Sequence, residues 1–329
     1  MSLLEIKGLT VDAATSTGQQ RIIDDIHLSI GQGEIIGIVG ESGSGKTTLA
    51  RALVGLLDKN LRVSAGECSF DDEVIISDKV DLANTIRGKK IGMVFQDAGR
   101  SLNPLMKVKA QIKEVLRVNR PEITKEDIKA VMHEILQRME IDDPDRVLNS
   151  FPHQLSGGQR QRVAIAIAIV TSPSLVIADE CTTALDVTTQ AEVVHLLREL
   201  VRDGKTSLLF ITHDLLLASE LCDRVMVMYA SEAVEIGPVS DVLEMPNHPY
   251  TKALIASVPS WDVTGPLKGI PGSAPKIGLE NVGCNFADRC SYSEPGCFAE
   301  NVSWTSTSQM SGFRCRIPLR KLSSYDIQN

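Results

Sequence analysis

Aromatic residues are scarce in this chain of 329 residues: seven Phe, four Tyr and two Trp, 4% in all, supply few rings for stacking nucleic-acid bases. A basic excess is missing as well. Lys and Arg number 34 against 42 Asp and Glu, a formal net charge of −8. A protein that grips a phosphodiester backbone shows a basic face, so nucleic acid is not expected as a partner. No apolar run approaches the roughly 20 residues of a membrane-spanning helix; the longest, Val163 to Val170 and Leu208 to Ile211, stop far short. The opening MSLLEIKGLT has neither the basic stretch nor the apolar core of a secretion signal, so a cytoplasmic location is expected. What is present suits a globular protein: 43% hydrophobic residues, mean hydropathy near zero, and length for one large domain or two.

The most informative stretch is EIIGIVGESGSGKTT, Glu34 to Thr48. Gly40, Glu41, Ser42, Gly43, Ser44, Gly45, Lys46 and Thr47 fit G-x-x-x-x-G-K-[ST], the loop whose backbone N–H groups wrap the phosphates of a nucleotide, and Thr48 extends it. Such a string also arises as a plain glycine turn. Here Ile35 to Val39 reads as a buried strand before it, and Leu49, Ala52, Leu53, Leu56 and Leu57 give a helix face over 47–57 after it. The helix then aims its positive end at the phosphates, Lys46 adds a point charge, and the Thr47 hydroxyl is placed to hold Mg²⁺.

Around this stretch the chain alternates strand and helix. Edge strands are expected at Leu4 to Val11 and Ile26 to Ile30, a small antiparallel flap over 58–90, and buried strands at Ile91 to Phe95, Leu175 to Ala178, Ser207 to Ile211 and Val225 to Tyr229. Helical periodicity dominates 97–173, with Ile128, Val131, Met132, Ile135, Leu136 and Met139 on one face, and returns from Thr189 to Val201. The pattern predicts an α/β fold with a partly parallel sheet and a helical insertion. Beyond Met245 lie eight of the fourteen prolines, which predicts a loop-rich tail.

Two further motifs carry chemistry. Leu175-Val-Ile-Ala-Asp179-Glu180 is an apolar strand ending in adjacent carboxylates; Asp179 is placed to hold Mg²⁺ and Glu180 to act as general base toward water. Ser156, Gly157, Gly158 and Gln159, ahead of an apolar helix, make an anion-binding helix N-terminus, with Ser156 also serving as its N-cap.

Together these residues resemble the nucleotide-binding subunits of ABC transporters. The loop at Gly40, LSGGQ at Leu155 to Gln159, Asp179 with Glu180, Gln96 in VFQD, Ala184-Leu185-Asp186, and His213 in ITHD stand in the family's order over roughly residues 3 to 245. The resemblance implies a P-loop ABC ATPase core of mixed sheet with flanking helices, an antiparallel β subdomain and a helical subdomain at about 97–173. It implies a head-to-tail dimer, with each ATP between the loop of one subunit and Ser156-Gly157-Gly158 of the other. It further implies that Gln96 reaches Mg²⁺ and the attacking water, that His213 contacts the γ-phosphate, and that Asp186 lies at the dimer seam. Two departures stand out: Cys181 where the family has proline, and Val11-Asp12-Ala13 where it has an adenine-stacking aromatic.

Four of the seven cysteines, Cys284, Cys290, Cys297 and Cys315, follow C-x5-C-x6-C-x17-C. Disulfides are not expected in a cytosolic chain; the thiolates could hold zinc or an iron–sulfur cluster, or stand as separate thiols. His248-Pro-Tyr-Thr-Lys-Ala-Leu254, Gly269-Ile-Pro-Gly272 and Gly283 to Cys290 resemble the C-terminal extension, here 246–329, of ATPases serving oligopeptide, dipeptide and nickel importers. That resemblance implies a [4Fe-4S] cluster, with zinc as the alternative. It implies an ATP hydrolase energising peptide import, peripheral on the cytoplasmic face of the cell membrane. The implied partners are a second, paralogous ABC ATPase, two membrane permease subunits contacted through Ser101 to Leu105, and an extracytoplasmic solute-binding protein. The alternatives are import of nickel or another small solute, a soluble ABC-type ATPase uncoupled from transport, and a module that binds ATP without hydrolysing it.

Overall fold

The structure, a computed structural model, describes residues 2–16, 18–183, 185–258, 269–275, 282–308 and 310–320. Its strands are β1 (Ser2–Thr15), β2 (Gly18–Gly31), β3 (Ile35–Val39), β4 (Leu61–Phe70), β5 (Glu73–Ser77), β6 (Ile91–Val94), β7 (Leu175–Asp179), β8 (Ser207–Ile211), β9 (Arg224–Tyr229), β10 (Glu232–Pro238), β11 (Thr305–Ser308) and β12 (Ser311–Phe313). The chain divides into two compact units. One comprises Met1–Gly31, Ile35–Asp81 and Thr212–Asn329; the other comprises Gln32–Glu34 and Leu82–Ile211.

In the first unit, β2, β1, β4 and β5 form an antiparallel sheet in that order. Over Leu4 to Lys7 strand β1 alternates, with Leu4 and Ile6 buried and Glu5 and Lys7 not, whereas Leu9 to Ala13 is buried without a break. A second set of strands begins with β3, which pairs in parallel with β9; β9, β10, β12 and β11 follow antiparallel. Every residue of β3 and β9 is buried, which suits the apolar runs Ile35 to Val39 and Val225 to Tyr229; buried Arg224, at the head of β9, bonds the carbonyls of Ser29 and Met310. The tail is thus not loop alone: β12 continues β10, through Glu235↔Phe313 and Ile236↔Gly312.

The helix after β3 runs Lys46–Leu53, shorter than the predicted 47–57. Gly55 takes φ 64°, its N–H donates to Ala52 O, and the Leu56 N–H reaches back to Arg51 O. This Schellman closure needs a left-handed residue, which glycine supplies at no steric cost, so the apolar spacing of Leu56 and Leu57 continues past the helix that it suggested.

The second unit contains β6, β7 and β8, paired in parallel. Helices Val108–Asn119, Lys125–Arg138, Pro144–Asn149, Gly157–Ile169 and Val187–Val201 belong to it. Lys125–Arg138 buries Ile128, Met132, Ile135 and Leu136, as its period predicts, and is capped by Thr124 Oγ1 accepting from the Asp127 N–H at 3.1 Å. Among the described residues no helix is long and apolar enough to cross a membrane.

Candidate functional site

In the first unit the chain leaves β3 at Val39 and turns through three left-handed glycines, Gly40, Gly43 and Gly45, with φ of 152°, 82° and 104°. A Cβ on Gly40 would lie 2.1 Å from Met228 O, so only glycine lets the loop pass β9. The Ser44 carbonyl accepts from the Ser231 N–H at 3.2 Å, tying the loop to the β9–β10 turn. Lys46 opens the helix almost fully buried, and its Nζ donates to the carbonyls of Gly40 and Glu41 at 2.8 and 2.9 Å. The Ser44 hydroxyl is buried with no hydrogen-bond partner among the described residues. The loop leads directly into the N-terminus of helix Lys46–Leu53, the kind of helix end that attracts an anionic phosphate. The Thr212 N–H donates to Ile38 O at 3.1 Å, which brings exposed His213 in beside the loop's strand. Asp214 then caps helix Leu215–Leu221, accepting from the N–H groups of Leu216 and Leu217.

The second unit presents two groups. At the end of β7, Asp179 is buried and Glu180 takes φ 45°, a left-handed conformation uncommon for a non-glycine residue. Gln96 Nε2 donates to Glu180 Oε2 at 2.9 Å, so residues 84 positions apart converge on one carboxylate. The other group gathers Ser156, Gly157, Gly158, Gln159, Asp186 and Thr189 around a single cleft. Ser156 and Gln159 form a reciprocal capping box, each side chain accepting from the other's N–H at 3.2 and 3.3 Å. Asp186 caps the next helix: the backbone and hydroxyl of Thr189 hold its carboxyl below the usual range, at 3.0 and 2.8 Å. Ala184 of the same motif lies outside the described residues.

Residues 23–183 match the family model for ABC transporters, and residues 234–297 match the model for the oligopeptide/dipeptide transporter C-terminal region. The oligopeptide transport ATP-binding protein OppD of Lactococcus lactis subsp. cremoris is 45% identical over 84% of this chain and 82% of its own. OppD of Escherichia coli is 40% identical over 90% of this chain and 88% of its own. The chain belongs to the ABC transporter family. The dimeric post-hydrolysis structure of the ATP-binding cassette MJ0796, bound to ADP and Pi, superposes with a TM-score of 0.63 at 30% identity, covering 72% of this chain and 98% of that one.

In this ABC ATPase, Cys181 is a packed residue. It is 2% exposed, and burial pushes its thiol up to about 12, so it is neither ionised nor accessible at neutral pH. At Val11-Asp12-Ala13, where the resemblance implies an adenine-stacking ring, Val11 and Ala13 are buried in β1 and Asp12 pairs with Arg21 at 3.5 Å.

Cys284, Cys290, Cys297 and Cys315 line one small cavity with Phe286, Tyr292 and Ile317, and the Cys284 N–H donates to Cys297 O at 2.8 Å. Burial pushes Cys284 up to about 11 and Cys315 up to about 12. Among the described residues no three or more His, Cys, Asp or Glu side chains are arranged as a metal-binding group. The four thiols thus share one cavity without being arranged as such a group.

Sequence reasoning assigned no role to Tyr229, Tyr250 or Arg289. The structure sets all three around Glu41 or one another: Arg289 bonds Glu41 and Tyr229, and the Glu41 N–H donates to Tyr250 OH. The only signal was the His248-Pro-Tyr250 and Asp288-Arg289-Cys290 text, which carries no physical partner until folded.

Proposed function

We propose that this ABC ATPase hydrolyses ATP to energise import of oligopeptides or dipeptides across the cytoplasmic membrane. The observation that carries the peptide assignment is the extent of the likeness. Relatives named for oligopeptide transport align through most of the chain, and the match at residues 234–297 lies largely in the extension beyond the cassette. The same two matches support a nucleotide-binding domain over 1–245, with its helical subdomain at about 97–173, and an extension over 246–329.

In this reading, Gly40 to Thr48 cradle the triphosphate with backbone N–H groups and Lys46. Thr47, Gln96 and Asp179 hold Mg²⁺, which supplies charge neutralisation on the phosphates. Glu180, oriented by Gln96, accepts the proton of a water as its oxygen attacks the γ-phosphorus and ADP leaves. His213 contacts the γ-phosphate. Ser156 to Gln159 and Asp186 close on the loop of a second, paralogous ATPase, and Ser101 to Leu105 contact the two permease subunits, which receive cargo from a solute-binding protein. The chain therefore sits peripherally on the inner face of the membrane.

Glu180→Gln keeps size and hydrogen bonding but removes the base, and should slow hydrolysis by the assembled transporter roughly 10²–10⁴-fold with ATP binding retained. Hydrolysis at the parental rate would remove Glu180 from the mechanism. Failure of the chain to co-purify with membrane subunits, or of those subunits to take up peptide, would favour an uncoupled ATPase.

A [4Fe-4S] cluster on Cys284, Cys290, Cys297 and Cys315 is the reading supported by their shared cavity. Iron and acid-labile sulfide assayed on anaerobically purified protein test it; stoichiometric zinc would replace it, and neither metal would end it.

A further inference from the structure

Glu41 is the only charged residue between Gly40 and Lys46, and a free carboxylate there opposes the binding of a triphosphate. The fold removes the conflict. Arg289, from the C-terminal extension, forms a two-pronged ion pair with it, Nη1 to Oε2 at 2.9 Å and Nη2 to Oε1 at 3.0 Å. The guanidinium is nearly buried, with a side chain 7% exposed. All five of its N–H donors are used: Nε bonds Pro271 O at 2.7 Å, Nη1 also bonds Tyr229 OH at 3.1 Å, and Nη2 also reaches Ile270 O at 3.3 Å. Its plane lies beside the rings of Tyr229 and Phe286, 5.7 and 5.9 Å from their centroids.

The Glu41 backbone is held as firmly. Its N–H donates to the hydroxyl of fully buried Tyr250 at 2.9 Å, and its carbonyl accepts from Lys46 Nζ at 2.9 Å and from the Ser44 N–H at 3.2 Å. Tyr250 in turn packs on Tyr229, ring centroids 4.4 Å apart, and on Phe286 at 5.4 Å. One residue of the phosphate loop is therefore fixed on its side chain and its N–H by the extension, and on its carbonyl by the lysine that meets phosphate. The Gly269-Ile-Pro-Gly272 text also finds a use: its carbonyls complete the shell of Arg289.

We infer that Arg289 and Tyr250 are positioning residues for ATP binding: they neutralise and immobilise Glu41, so that the loop presents N–H groups and Lys46 to the triphosphate without a competing carboxylate. The inference rests on the reading of Gly40 to Thr48 as the phosphate cradle. A staple that merely fastens the extension to the cassette predicts something different, a smaller folded fraction with unchanged affinity.

The test uses the full chain in the assembled transporter, with the ATP dependence of hydrolysis as readout. Arg289→Gln should raise KM for ATP about tenfold or more, a loss of about 1.4 kcal/mol, while kcat changes by less than about threefold. Arg289→Lys should restore part of the affinity, since it returns the charge but not the fork. Adding Glu41→Gln to Arg289→Gln should lower KM again, because the uncompensated carboxylate is gone. Should Arg289→Gln fail to fold, Tyr250→Phe, which deletes one hydroxyl, and Arg289→Lys carry the test, each expected to raise KM. Unchanged KM in these variants, or a double variant worse than Arg289→Gln alone, would overturn the inference. Lys46→Ala separates the two readings: if it still binds ATP normally the cradle itself is wrong, and if it does not, unchanged KM in the Arg289 variants refutes only the positioning.

Discussion

Ser156 stands in two roles, helix cap and candidate phosphate contact, and replacing it by Asp separates them. The hydroxyl accepts from the Gln159 N–H at 3.2 Å at the head of helix Gly157–Ile169. Asp caps a helix as well as Ser and its charge suits the positive end of the helix, so Ser156→Asp should leave the unfolding free energy within about 0.5 kcal/mol of wild type or raise it. Ser156→Ala should cost about 1 kcal/mol. Function should order the variants the other way. Two unit charges about 4 Å apart at an effective dielectric near 20 repel by about 4 kcal/mol. Ser156 is exposed, so screening leaves something on the order of 1–2 kcal/mol, about a tenfold rise in the ATP concentration that gives half-maximal hydrolysis. Denaturant unfolding of the chain gives the first quantity; steady-state hydrolysis by the assembled transporter gives the second. A Ser156→Asp protein as stable as wild type and equally responsive to ATP would show that no phosphate approaches this helix end.

Gly157 makes the same point sterically. A Cβ there meets nothing within 4 Å, so Gly157→Ala should keep or gain up to about 1 kcal/mol of stability while raising the ATP requirement, because the added methyl faces the approaching nucleotide; unchanged ATP dependence would refute the close approach. Gly40→Ala is the opposite case. Its Cβ would fall 2.1 Å from Met228 O at φ 152°, so nucleotide binding, followed by titration with a fluorescent ATP analogue, should weaken beyond detection. Cys181 should resist maleimide in the native protein at pH 7 and label on unfolding, as read by mass spectrometry of the tryptic peptide; labelling at the rate of a free thiol would contradict its burial and its thiol pushed up to about 12.

Features set by a few neighbouring residues were legible before the fold was known. The Gly40–Thr48 loop, the Ser156 cap with its Gln159 reply, and the carboxylates closing β7 are each contained within a short window, where spacing alone fixes geometry. The helix end at Leu53 is hidden in the sequence because apolar spacing continues through Leu57, whereas the stop depends on the left-handed backbone of Gly55. Gln96 beside Glu180 was reachable only through family likeness, as 84 residues separate them. The Arg289–Glu41 pair, 248 residues apart, had no sequence signature, since a single Arg and a single Glu have no period and their meeting depends on the tail folding back.

The pairing of β12 on β10 has a consequence for the solubility of shortened chains. With β12 in place, the strand order ends at β11, four residues long, wholly exposed, and made only of Thr and Ser. An edge so short and polar is a poor template for another chain. A truncation before residue 305 would move the edge inward to β10, whose Ala233, Val234 and Ile236 are buried, and would uncover their N–H and C=O groups along a longer apolar strand. The last strands thus act as a hem on the sheet, and their removal should promote strand-to-strand aggregation.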